Sequence, residues 1–144
     1  TGGGIQGTFG VVGLALMSGG LGYQSILIGG QTFQSARVTW RGQVQNTGNA
    51  PIADLGVWLR AKRSADQTYI RIAPRSAIPT LAPGASSPIT ISVDILSSDP
   101  PGDFYAELLV GEPYANLALA SATSGVLGTI NPTSSISITG TFGA

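Results

Sequence analysis

The chain has 144 residues and a mass of 14.6 kDa, with seven basic and seven acidic residues that cancel to a formal net charge of zero. It contains no Cys and no His, which removes the usual ligands of zinc, haem and iron–sulfur centres, thiol chemistry and any Ser–His–Asp triad. Charged residues make up only 10%, against about 25% in an ordinary soluble domain; the basic footprint of a nucleic-acid binder is missing, and no apolar run reaches the ~18 residues of a membrane helix.

The chain starts at Thr1 without a Met, which predicts a removed leader or an internal start. Residues 1–20 carry no charge and eight glycines. Gly costs about 1 kcal/mol against Ala inside a helix, so a helix is not expected here. The apolar residues Ile5, Phe9, Val11, Val12, Leu14 and Leu16 instead suggest an extended arm that needs a partner surface. Residues 23–36 read as a hairpin: Ile26-Leu27-Ile28 runs into Gly29-Gly30, a two-residue turn in which both positions need positive φ. Arg37 to Gln45 alternates strictly, with Val38, Trp40, Gly42 and Val44 on one face and charged or polar residues on the other.

Asn46-Thr47-Gly48-Asn49-Ala50-Pro51 is a turn. A second alternating strand spans Asp54 to Lys62, with Leu55, Val57, Leu59 and Ala61 on one face and Trp58 opposite. A turn at Ser64 to Gln67 leads to a short strand, Thr68 to Ile72. Residues 73–88 hold Pro74, Pro79, Pro83 and Pro88, which predicts loops and edge segments. Ile89, Ile91, Val93 and Ile95 mark the next strand. After Ser97-Ser98-Asp99-Pro100-Pro101-Gly102, the residues Phe104, Ala106, Leu108 and Val110 mark another. Tyr114 to Ala122 is expected as a helical turn or irregular loop, Val126 to Ile130 as a short strand, and Ile136 to Phe142 as the last strand. Seven or more short strands joined by turn chemistry define an all-β chain, an Ig-like antiparallel β-sandwich. The expected division is an arm over 1–20 and a sandwich domain over 21–144.

Residues 43–110 resemble the bacterial and archaeal Ig-like modules of the CARDB and related adhesion-repeat type. The resemblance is carried by Val44-Gln45-Asn46-Thr47-Gly48-Asn49, by Leu81-Ala82-Pro83-Gly84 before Ile89 to Val93, and by Pro101-Gly102-Asp103-Phe104-Tyr105 before a strand. It implies an extracellular sandwich used as a spacer, adhesin or polymer subunit, and no catalytic residue. In layout alone, a Gly-rich apolar arm ahead of such a domain is similar to pilins that assemble by donor-strand complementation.

Other features have more than one reading. Ile5-Gln6-Gly7-Thr8-Phe9-Gly10 and Ile138-Thr139-Gly140-Thr141-Phe142-Gly143 agree at five of six positions. This is either coincidence in a Gly/Thr-rich chain, two strands of one sheet, or the two ends of a head-to-tail polymer. The bases lie mostly between Arg37 and Arg71 and the acids mostly later, which reads first as a solvated face with scattered ion pairs. Trp58, Tyr69 and Tyr114 would make a sugar platform only if exposed together. Asp99 and Asp103 are too few for a calcium loop. None of Asn46, Asn49, Asn116 and Asn131 begins an N-glycosylation sequon, while Pro132-Thr133-Ser134-Ser135 offers O-linked sites.

The resulting expectation is a structural, non-enzymatic subunit of an extracellular filament or pilus, at the cell surface, without metal or cofactor. It joins copies of itself by strand exchange through Ile5, Phe9, Val11, Val12, Leu14 and Leu16. Glycans, O-linked or bound, are the second expected class of partner. The alternatives are a virion structural protein and a carbohydrate-binding or adhesive module.

Overall fold

A computed structural model describes residues 3–16, 24–73, 75–111, 118–132 and 138–143. Ten strands follow one another: β1 Gly3–Leu16, β2 Ser25–Ile28, β3 Gln31–Asn46, β4 Leu55–Arg63, β5 Tyr69–Ile72, β6 Ser76–Ile78, β7 Ser86–Leu96, β8 Gly102–Gly111, β9 Ala118–Thr123 and β10 Gly128–Asn131. All pair antiparallel. One layer is β1, β3 and β7, with β3 in the middle. The facing layer is β9, β8 and β4, with β5 and β6 on the far side of β4. The short strands β2 and β10 join the layers at one corner, because β2 pairs with β3 and β10, and β10 pairs with β8. This is an Ig-like antiparallel sandwich.

The period-two pattern fills the space between the layers. From the first layer come Ala36, Val38, Trp40 and Val44, with Ile89, Ile91, Val93 and Ile95; from the second come Leu55, Val57, Leu59 and Ala61, with Phe104, Ala106, Leu108 and Val110. All are buried. Such burial is the main favourable term in folding, about 25 cal/mol per Å² of apolar surface. Gly29 (φ 57°) and Gly30 (φ 83°) close the β2–β3 hairpin as expected for a turn with two left-handed residues. Pro88 lies on β7, whose outer side pairs with no other named strand, so its missing N–H costs no ladder bond there.

Two expectations are corrected. Ala118–Thr123 is a strand, not a helical turn or loop, because β8 offers it a free edge from Glu107 to Gly111. Residues 138–143 carry no strand assignment, and Ile138 and Phe142 are 91% and 105% exposed. Alternation alone does not make a strand where no neighbouring edge is taken.

Two buried polar residues tie loops to this frame. Asn46, at 0% exposure, donates from Nδ2 to the carbonyls of Ala50 (2.8 Å) and Leu81 (3.0 Å), and its Oδ1 accepts from the Gly48 N–H (2.9 Å). Leu81-Ala82-Pro83-Gly84 turns with a bond from the Ala85 N–H to the Ala82 carbonyl and with Gly84 at φ 79°, a type II turn. Asp99 accepts from the Leu96 N–H (2.8 Å) and from Arg71, in a two-pronged contact of 2.9 and 3.2 Å. Asp99→Ala therefore leaves the part-buried Leu96 N–H without its acceptor and Arg71 without its partner. The expected cost is about 2 kcal/mol, read by urea denaturation; a loss below about 0.5 kcal/mol would mean that the turn holds without the carboxylate.

Candidate assembly interface

The arm is strand β1, and it is seated on its own chain. It runs antiparallel to β3 from Gly3 opposite Asn46 to Leu16 opposite Phe33. Three of the apolar arm residues, Ile5, Phe9 and Val11, pack half-buried against the core, facing Val44, Trp40 and Val38. Leu14 is half-buried opposite Ser35, while Val12 and Leu16 are 62% and 65% exposed. The six residues are thus divided between the core and the solvent.

Two glycines shape the seat. At Gly7 a Cβ would lie 2.5 Å from Cζ2 of Trp40, so the indole lies across the strand at that point. At Gly42, directly opposite, a Cβ would lie 2.1 Å from the Gln6 carbonyl oxygen and 2.5 Å from Cα of Gly7. These backbones meet closer than any side chain permits. The seat on β3 therefore demands a glycine under Trp40, which β1 supplies between the half-buried Ile5 and Phe9. Trp40 was legible as core; its lid over Gly7 was not, although the paired glycines were the available signal. On its other side, β1 pairs with no named strand among the described residues. The result is a long open edge, the kind of edge to which a further chain adds.

Most of the bases are engaged in ion pairs within the chain. Arg37 meets Asp94 (2.8 Å), Arg63 meets Asp66 (2.5 Å), Arg71 meets Asp99, and Arg60 and Lys62 both approach Glu107 (3.6 and 3.7 Å). The hydrogen bond from Arg37 holds the Asp94 carboxyl below its ordinary range, and bonds from Arg63 and Thr68 do the same, more strongly, for Asp66. A lowered carboxylate pKa adds stability above the unfolded value, near pH 4, and that stability is lost as pH falls through the folded value. Both pairs are exposed and the effect is small. With no His, no side chain of ordinary pKa titrates between about pH 5 and 9. The thermal midpoint is expected to be flat over that range and to fall below about pH 4; a step near pH 6–7 would contradict this.

The aromatic rings are partly capped by cations. The Arg75 guanidinium lies 5.9 Å from the Trp58 ring centre, and Arg60 and Lys62 lie 5.2 and 5.0 Å from that of Tyr69. Tyr114 and Thr133-Ser134-Ser135 lie outside the described residues. Asp103 accepts from the Thr129 hydroxyl (2.6 Å), and no group of three or more metal-ligating side chains occurs among the described residues. A shallow depression of about 480 Å³ between β5 and β7 is lined by Arg37, Arg71 and Asp94, charges already engaged in ion pairs. Among the described residues, no helix is long and apolar enough to cross a membrane.

Fold and edge together define a β-sandwich module with an open first strand. No protein-family model and no curated protein matches the chain. Among solved structures it is similar to a β-glucuronidase from Bacteroides uniformis, at 16% identity and a TM-score of 0.50, over 70% of this chain and 12% of that one. It is also similar to the C-terminal domain of Wzt, at 11% identity and a TM-score of 0.41, over 92% of this chain and 80% of that one. A β-glucosidase of intestinal bacteria involved in saponin metabolism gives 18% identity and a TM-score of 0.41, over 83% and 16% of the two chains. The chain thus spans only a small part of either glycosidase, and at these identities the likeness is one of fold.

Proposed function

We propose that this chain is a structural subunit of an extracellular filament, a homopolymer in which β1 of one copy takes its seat on β3 of the next. The observation that carries this reading is the form of β1. Among the described residues it is a long strand that pairs with β3 alone and leaves its outer edge open. Its inward side chains are only half-buried. Exchange keeps every pairing and every contact of the seat while moving the donor to another copy. Such swaps cost little because the same interface forms in both states. A strand of this length covers on the order of 1,000 Å² in total, enough for a stable joint. Intramolecular ion pairing and zero net charge leave little repulsion between stacked copies. The reading places the protein at the cell surface and gives it no catalytic residue.

The test is removal of residues 1–17, followed by sedimentation and negative-stain microscopy, with circular dichroism to confirm folding. The full chain is expected to polymerise, the truncated chain to stay monomeric, and a peptide of residues 3–16 to bind the truncated form. Polymers formed without the arm would overturn the reading, as would a full chain that stays monomeric at high concentration.

A further inference from the structure

The β1 seat is defined by shape, and a second segment of the same chain has that shape. Ile138, Gly140 and Phe142 repeat the spacing of Ile5, Gly7 and Phe9, and Thr141 and Gly143 repeat Thr8 and Gly10. The central glycine is the discriminating position. At Gly7 any Cβ would enter the Trp40 ring, and the Arg41 carbonyl oxygen lies equally near at 2.5 Å. The flanking Ile and Phe are the side chains that the seat holds against Val44 and Trp40. In its own chain this segment has no strand assignment, and Ile138 and Phe142 lie almost wholly in solvent. Two large apolar side chains on such a tail are unfavourable in water until something covers them.

We infer that residues 138–143 are a second strand for the β1 seat, supplied to β3 of another copy. In the register of β1, Ile138 lies opposite Val44, Gly140 opposite Gly42 under Trp40, Thr141 opposite Arg41, and Phe142 opposite Trp40. The inference rests on the proposed exchange in one respect: β1 must be able to leave its seat. A linear polymer joined by arms has one seat, at its end, that no arm reaches, and residues 138–143 of a further copy close it.

The chain has no Cys, so in mixtures of single-cysteine variants every disulfide is intermolecular. Full-length Thr141→Cys is mixed with full-length Arg41→Cys under mild oxidation, and the mixed disulfide is quantified by mass spectrometry. Directly opposed residues in antiparallel strands lie about 4.5–5.5 Å apart at Cα, within disulfide reach. A yield at least about tenfold above a Thr139→Cys control, which sits two residues out of register, is expected. Gly140→Val in the tail donor should return the yield to the control level. A parallel mixture of Thr8→Cys with Arg41→Cys reads arm exchange separately. A strong arm signal with the tail pair at control level overturns the tail inference and leaves the filament reading standing. A strong tail signal without an arm signal does the reverse. A tail signal insensitive to Gly140→Val, or both pairs at control level, overturns the inference.

Discussion

Replacing Gly42 with valine is expected to unseat β1 and abolish assembly. A Cβ at this position would lie 2.1 Å from the Gln6 carbonyl oxygen and 2.5 Å from Cα of Gly7. Both are backbone atoms, so no rotamer change relieves the contact and β1 itself must move away. The body of the sandwich keeps its β3–β7 ladder. The variant is therefore expected to stay folded by circular dichroism, to sediment as a monomer, and to lose residues 3–16 to limited proteolysis. Because the clash lies in the seat, it acts whether the strand comes from the same copy or another. Arm deletion removes the donor; Gly42→Val spoils the acceptor. A Gly42→Val protein that polymerises like the parent would show that β1 is not the joint.

The second large effect is expected at Asn46. Asn46→Ala removes three hydrogen bonds from a fully buried site and leaves the Gly48 N–H and the Ala50 carbonyl without that partner. Each such bond contributes about 1 kcal/mol net. The sum is about 3 kcal/mol, or roughly 10 °C in thermal midpoint for a domain of this size. Asn46→Asp separates the cause. It retains the acceptor for Gly48 but turns both donated bonds into contacts between a carboxylate and a carbonyl. It should cost as much as the alanine or more; an aspartate variant as stable as the parent would mean that only the Gly48 bond matters.

Asn46 also shows why a turn motif can be read without its purpose. Asn-Thr-Gly-Asn marks a chain reversal from composition alone. That its first residue reaches the Leu81 carbonyl, 35 residues on, depends on β3 and the Leu81-Ala82-Pro83-Gly84 turn lying side by side. The bases and acids behave similarly. The bases lie mostly early in the chain and the acids mostly late, an asymmetry along the sequence that does not name their partners. Antiparallel pairing brings Arg37 opposite Asp94 and Arg60 opposite Glu107, so much of the asymmetry cancels within one copy.

The period-two pattern by itself determined the sandwich, the inward residues of β3, β4, β7 and β8, and the Gly29-Gly30 hairpin. Each follows from a rule of one or two neighbouring residues: alternate side chains point to opposite faces, and only glycine takes a left-handed turn freely. The tertiary structure decided which edges are taken. Ala118–Thr123 became a strand because β8 had an open edge, while 138–143, with the better alternation, did not pair in its own chain. It also placed Gly7 and Gly42 back to back under Trp40, which turned an arm of apolar residues into a seat of defined shape. Strand pairing is a contact between residues far apart in sequence, and its energy depends on the partner being present. A single strand's pattern cannot encode that partner.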